Sequence, residues 1–180
     1  MKNIFLILCV FSISFSTFSQ EKTVKGPIFE DFGQVFKIGN PDLLLDKDKT
    51  YKIIFDAYTD GENIEKINPS INTVARFINM HAQHGIKLED MKIILVLHGK
   101  ATKNVLNDAS FMEKYKTANP NLKLIAALKK AGVKTYVCGQ SFTYHGFNKN
   151  DLSTNAEMSL SALTALVYYQ TNGYQLISFN

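Results

Sequence analysis

Two residues in this 180-residue chain combine reactive side chains with positions directly after apolar runs. Cys138 follows Val133-Lys-Thr-Tyr-Val137, and His98 follows Met91-Lys-Ile-Ile-Leu-Val-Leu97. The thiolate, not the thiol, is the nucleophile. An ordinary thiol pKa of about 8.5 leaves about 3% thiolate at pH 7, whereas a pKa near ~6.5 gives roughly 75%. Gly139 permits a tight turn after the cysteine. Gln140 to Tyr144 suits a short helix whose free N–H groups would face the sulfur and lower its pKa. His98 could serve as a base, as a cation beside a thiolate, or as a hydrogen-bond donor to a bound group. The plain alternatives are a small buried hydrophobe at 138 and a strand-capping histidine at 98. Sequence position alone supplies no acid to complete a triad. Asp56, Asn107 and Asp108 are candidate neighbours that spacing does not place.

Other constellations are thinner. His81 and His84, at i and i+3, could share a metal, but no third ligand is evident. Cys138, His98 and His145 form a second conceivable metal trio. The sequence holds no Gly-rich phosphate loop, no G-x-S-x-G elbow, no H-E-x-x-H and no C-x-x-C. The expectation is therefore no cofactor and no resident metal. Lys47, Lys49, Lys52 and the Lys129-Lys130 pair read as solvated faces.

The whole composition sets the class. At 46% hydrophobic, 20% charged and 12% aromatic residues, the chain is globular and neither disordered nor fibrous. Net charge is +4, from 20 basic against 16 acidic residues, and is spread along the chain, which argues against a nucleic-acid partner. Two cysteines, Cys9 and Cys138, exclude a disulfide scaffold. Lys2, the apolar run Ile4 to Val10, and small residues at Thr17 and Ser19 read as a secretory signal peptide over residues 1–19. Cys9 follows Leu8 inside the apolar run, so it does not read as a lipoprotein cysteine. The expected mature protein is exported, periplasmic or secreted. It carries Cys138 as its one thiol and has no membrane span after cleavage.

The elements that must position the candidates follow. Residues 20–50 form an arm punctuated by Gly26-Pro27, Gly33, Gly39-Asn40-Pro41 and Asp46 to Lys49. Its apolar residues, among them Phe29, Phe32 and Val35, predict an ordered strap rather than a linker. Residues 51–180 alternate strands and helices. Tyr51 to Tyr58 predicts a strand. Asn68-Pro69 predicts a cap and first turn, with Ile71, Val74, Ala75, Ile78 and Ala82 in one apolar stripe closed by Gly85. Met91 to Leu97 predicts a strand buried on both faces. Asn119-Pro120 predicts a second cap, with Leu124, Ile125 and Leu128 behind it and Gly132 ending the helix. Val133 to Val137 predicts a strand, Ala156 to Gln170 a helix, and Tyr174 to Phe179 a last strand. The expected fold is a three-layer α/β domain, its sheet mostly parallel with helices on both faces. In such sheets ligands bind beyond the carboxyl ends of the strands. Asp56, His98 and Cys138 all fall on that rim. The helix at 156–170 is apolar nearly all round, so either the arm or a second subunit is expected to cover it.

The stretch Gly132-Val-Lys-Thr-Tyr-Val-Cys138-Gly-Gln-Ser141 resembles the DsrE/DsrF-like sulfur-relay family, and more narrowly its exported single-domain branch. Tyr51 to Asp56, Val96-Leu97-His98-Gly99, Val105-Leu106-Asn107-Asp108 and Asn119-Pro-Asn121 carry the same resemblance. It implies homo-oligomers, trimers or hexamers, and a cysteine that accepts sulfane sulfur as a persulfide and passes it on. Cys138 matches the family cysteine, with His98 beside it in a catalytic role. Gly139, Gln140, Asn107, Asp108 and Asp56 are carried as binding neighbours. The expected partner is a sulfane-sulfur donor or acceptor. The competing expectations are a non-catalytic oligomeric module holding a small ligand or metal at the Cys138/His98 rim, and a structural oligomer with an inert thiol.

Overall fold

A computed structural model describes residues 22–179. The expected signal peptide, residues 1–19, lies outside the described residues. Five parallel strands form one sheet, in the spatial order Glu157–Ser159, Lys134–Cys138, Met91–Leu97, Tyr51–Ala57, Gln175–Phe179. The strands are β1 (Tyr51–Ala57), β2 (Met91–Leu97), β3 (Lys134–Cys138), β4 (Glu157–Ser159) and β5 (Gln175–Phe179). The helices are α1 (Pro69–Gln83), α2 (Asp108–Tyr115), α3 (Leu122–Lys130), α4 (Gly139–Tyr144) and α5 (Ala162–Thr171).

The chain steps from β1 to β4 in one direction across the sheet. It then crosses the whole width to place β5 beside β1. Right-handed crossovers in one direction put their helices on one face, and the reversal puts α5 on the other. The packing follows. Ile71, Val74, Ala75 and Ile78 of α1, Phe111 of α2 and Leu124, Ile125 and Leu128 of α3 pack with Ile53, Phe55, Ile93, Leu95 and Leu97 in the larger core. On the opposite face, Ala162 and Ala165 of α5 pack with Ile54, Ile94, Val96 and Cys138. Alternate residues of β1 and β2 thus serve opposite layers, as the two-residue period of a strand requires.

Local signals explain the helix starts. Asn68 accepts the Ser70 N–H at the head of α1, and Pro69 fills the first turn, where its missing N–H costs nothing. The arm is strapped across α1. Asn79, fully buried, accepts the Ile28 and Phe29 N–H groups and donates to the carbonyls of Phe29, Phe32 and Gly33. Asn72 accepts the Gly33 N–H. The expected strap therefore exists, and it lies on the face opposite α5.

Two expectations need correction, and one helix carried no signal in the sequence pattern. Glu157–Ser159 is an edge strand pairing with Tyr136 to Cys138, not the start of a helix. The helix begins at Ala162 because Ser161 caps it, accepting the Thr164 N–H. Asn119 does not cap α3; its amide donates to the Asn104 and Leu106 carbonyls, and Asn121 takes the cap position. Helix α2, which the sequence pattern did not mark, buries only Phe111 and so shows no stripe.

Candidate functional site

Adjacent strands β3 and β4 send their following helices to opposite faces of the sheet. α4 buries Phe142 in the larger core, and α5 lies on the smaller one. Such a divergence opens a crevice at the carboxyl ends of the strands, where ligands of α/β folds bind. Cys138 sits there, the last residue of β3 and the N-cap of α4, with only 4% of its surface exposed.

Its sulfur is well supplied with donors. Burial pushes the thiol pKa up, but hydrogen bonds from the Ser141 hydroxyl and from the backbone N–H groups of Ser141, Ala162 and Gln140 more than offset it, so the thiol titrates below its ordinary value. The Ser141 N–H lies 3.4 Å from Sγ. Two helix starts, α4 and α5, therefore point N–H groups at one sulfur. Gly139 makes this convergence possible. A Cβ at 139 would stand 2.8 Å from the Ser159 carbonyl oxygen, so any side chain would drive the β4–α5 connection away from the thiol. Gln140 reaches the Leu160 carbonyl on the same connection at 3.5 Å.

His98 follows β2 on the α5 face. Its Nε2 faces Asp56 Oδ1 of β1 at 2.7 Å. The contact is at ion-pair distance but off the alignment of a hydrogen bond, and neither atom has another partner among the described residues. The Tyr58 ring packs against the imidazole with centroids 5.1 Å apart. Gly99 leaves room for that ring: its φ is +52°, and a Cβ there would overlap Tyr58 at 2.2 Å. Leu97 pairs with Val137, so His98 and Cys138 stand one position beyond a paired couple in neighbouring strands, which run about 4.8 Å apart. Both share a sheet face with Asp56, since Ile54, Val96 and Cys138 occupy the same layer.

An open depression beside them is lined by Tyr58, Gly99, Lys100, Gln140, Ser141 and Tyr144. Lys100 is exposed and supplies a cation at its edge. His145, on the same depression, is held by the Gly99 carbonyl at 3.1 Å.

The structure thus gathers Asp56, His98, Cys138, Gly139 and Gln140 around one rim. It gives Asn107 and Asp108 structural work on the other face. Asn107 caps α2 by accepting the Ser110 N–H, and its amide donates to the Asn150 carbonyl. Asp108 accepts the Asn119 N–H at 3.4 Å. The Ser141 hydroxyl and the Ala162 N–H are site groups that sequence reasoning missed. Cysteine at 138 and serine at 141 have the N-cap to N3 spacing that could have marked the first. Only the fold brings the second. Among the described residues, no three His, Cys, Asp or Glu side chains cluster to hold a metal, and the His81 Nδ1 is engaged by the Phe77 carbonyl at 2.8 Å.

The DsrE/DsrF-like family model matches residues 50–179. The chain belongs to this family. Two solved structures share the fold. One is the MTH1491 protein of unknown function from Methanobacterium thermoautotrophicum, 19% identical, with 72% of this chain and 99% of that one covered at a TM-score of 0.51. The other is the ychN protein from E. coli, 16% identical, with 72% and 100% covered at a TM-score of 0.54. No curated protein matches the chain significantly. The matched span starts one residue before β1, and the strap lies ahead of it.

Proposed function

We propose that this DsrE/DsrF-like protein is a sulfur carrier of sulfurtransferase type, exported, in which Cys138 accepts a sulfane sulfur as a persulfide. The observation that carries the reading is the set of N–H and O–H donors from Gln140, Ser141 and Ala162 around Sγ, which holds a buried thiol below its ordinary pKa. A sulfur kept as thiolate is a nucleophile for a sulfane sulfur, and the same donors stabilise the anionic persulfide that results. Lys100 at the rim favours anionic donors such as polysulfide.

Self-association is part of the proposal. From Met158 to Phe179 the sequence carries no charge, and Leu160, just ahead of α5, and Leu163, Val167 and Tyr168 along it are 60–75% exposed. The strap lies on α1, so it does not cover them. A second copy of the same uncharged face is the fitting cover.

The test is alkylation of Cys138 as a function of pH, read by intact mass, beside incubation with polysulfide. A labelling midpoint below ~8.5 and a reversible gain of one sulfur, about 32 Da, absent in Cys138→Ser, is the expected result. A thiol that labels only on unfolding overturns the reading. Sedimentation of the protein and of Leu163→Glu checks association: the substitution should yield a monomer, and an unchanged mass overturns that part.

A further inference from the structure

We propose that Asp56 is a positioning residue that holds His98 as the general acid for the thiol released when Cys138 takes sulfur from a persulfide. The inference rests on the sulfur-carrier reading and deepens it by naming the donor class, a persulfide whose departing thiolate needs a proton.

Asp56, His98 and Cys138 come from β1, β2 and β3, three consecutive neighbours in the sheet. They stand in the spatial order acid, imidazole, thiol on one face of one rim. Asp56 Oδ1 and His98 Nε2 are both buried, lie 2.7 Å apart, and have no other partner among the described residues. A polar pair beside Ile54, Ile94 and Val96 is costly to desolvate, and apolar side chains would fill that layer at no such cost. Packing therefore does not account for it. With Nε2 turned to Asp56, Nδ1 is the ring nitrogen left without a hydrogen-bond partner among the described residues. The two ring nitrogens point in roughly opposite directions. The carboxylate of β1 thus leaves the second nitrogen free, and Cys138 stands on the neighbouring strand, one position beyond the Leu97–Val137 pair. The Tyr58 ring, packed on the imidazole and seated over Gly99, restricts its rotation further. A third group that orients the base or acid beside a nucleophile is the triad logic of acyl-transfer enzymes, and here it serves a sulfur leaving group.

The step balances without an outside oxidant. The Cys138 thiolate attacks the terminal sulfur of R–S–SH. The Cys138 S–S bond forms as the R–S–S bond breaks, and the electron pair leaves on R–S⁻. That thiolate takes a proton from the His98 imidazolium, giving Cys138–S–SH, R–SH and a neutral imidazole. The Cys138 persulfide then returns its proton to His98, which resets the ring.

The experiment compares two donors on the unsubstituted protein, Asp56→Asn and Asp56→Glu, with sulfur gain on Cys138 followed by intact mass. Glutathione persulfide releases a basic thiolate. Benzenethiosulfonate releases a sulfinate that needs no proton. Asp56→Asn is expected to slow uptake from glutathione persulfide about 10²-fold while changing uptake from benzenethiosulfonate by less than about threefold. Asp56→Glu, which keeps the carboxylate, should recover part of the lost rate. Equal slowing with both donors, or no slowing with either, overturns the inference and leaves the sulfur-carrier reading standing. If the unsubstituted protein gains no sulfur from either donor, the carrier reading itself fails and this inference with it.

Discussion

The two faces of the sheet are built differently. One is closed: α1, α2 and α3 cover it with large apolar side chains, and the strap is fastened over α1 by Asn79 and Asn72. Among the described residues the other is covered by α5 alone, which turns Ala162, Ala165, Leu166 and Tyr169 toward the sheet and leaves Leu163, Val167 and Tyr168 toward solvent. An ordinary amphipathic helix would not leave so many large apolar residues on its outer side. Small inward residues let α5 sit close to β3, which is what brings the Ala162 N–H to the Cys138 sulfur. The closed face holds the domain together. The thin face carries the thiol, the Asp56–His98 pair and the exposed, uncharged side of α5.

Substitutions should separate these two duties. Phe55→Ala, in the closed core at 1% exposure, should cost about 3–5 kcal/mol, read by urea unfolding. Asn79→Ala should cost about 2–4 kcal/mol because it orphans arm N–H and C=O groups that it alone satisfies with its side chain. The same variant should expose the strap to proteolysis while leaving the alkylation pH profile of Cys138 unchanged. A shift in that profile would show the two faces to be coupled, and the contrast drawn above would fail.

Gly139→Ala joins the two duties. Its new Cβ meets the Ser159 carbonyl oxygen at 2.8 Å, so the β4–α5 connection must move. The expected stability loss is about 1–3 kcal/mol. The larger effect is chemical: Ala162 N–H retreats from Sγ, and the alkylation midpoint rises toward that of an ordinary thiol. A stability loss with an unmoved midpoint would show that α5 contributes nothing to the thiol.

What the sequence disclosed follows the same division. β1, β2 and α1 were legible because each carries its own signal: an unbroken apolar run, or a stripe behind Asn68-Pro69. The rim placement of Cys138 and His98 followed from strand ends alone. β4 was not legible, because Ala156-Glu157-Met158 reads as helix and three residues pair only through β3. The match of Asp56 to His98 depends on the β1–β2 register, which sets Asp56 against Val96. Asn107 and Asp108 entered as binding neighbours through the resemblance, since spacing alone did not place them. Their caps and turns became visible only with the Ser110 and Asn119 contacts in place. Local signals thus gave the elements, and long-range pairing gave the chemistry.

Ser141→Ala is the smallest change and isolates the thin face. It removes a hydroxyl from Sγ but keeps the Ser141 backbone N–H, so the fold should be almost unaffected. The thiol of Cys138 titrates below its ordinary value in the folded protein, so its ionisation stabilises the folded state above the unfolded thiol's pKa, and that contribution disappears as pH falls through the folded value. Ser141→Ala weakens one of the causes of that lowering. Parent and variant should therefore have nearly the same unfolding midpoint in mildly acidic buffer. The parent should pull ahead as pH rises through the thiol range, and the alkylation midpoint of the variant should move up in step. A constant gap at every pH would mean that Ser141 contributes packing alone, and that the backbone N–H groups of the two helix starts account for the acidity of the thiol.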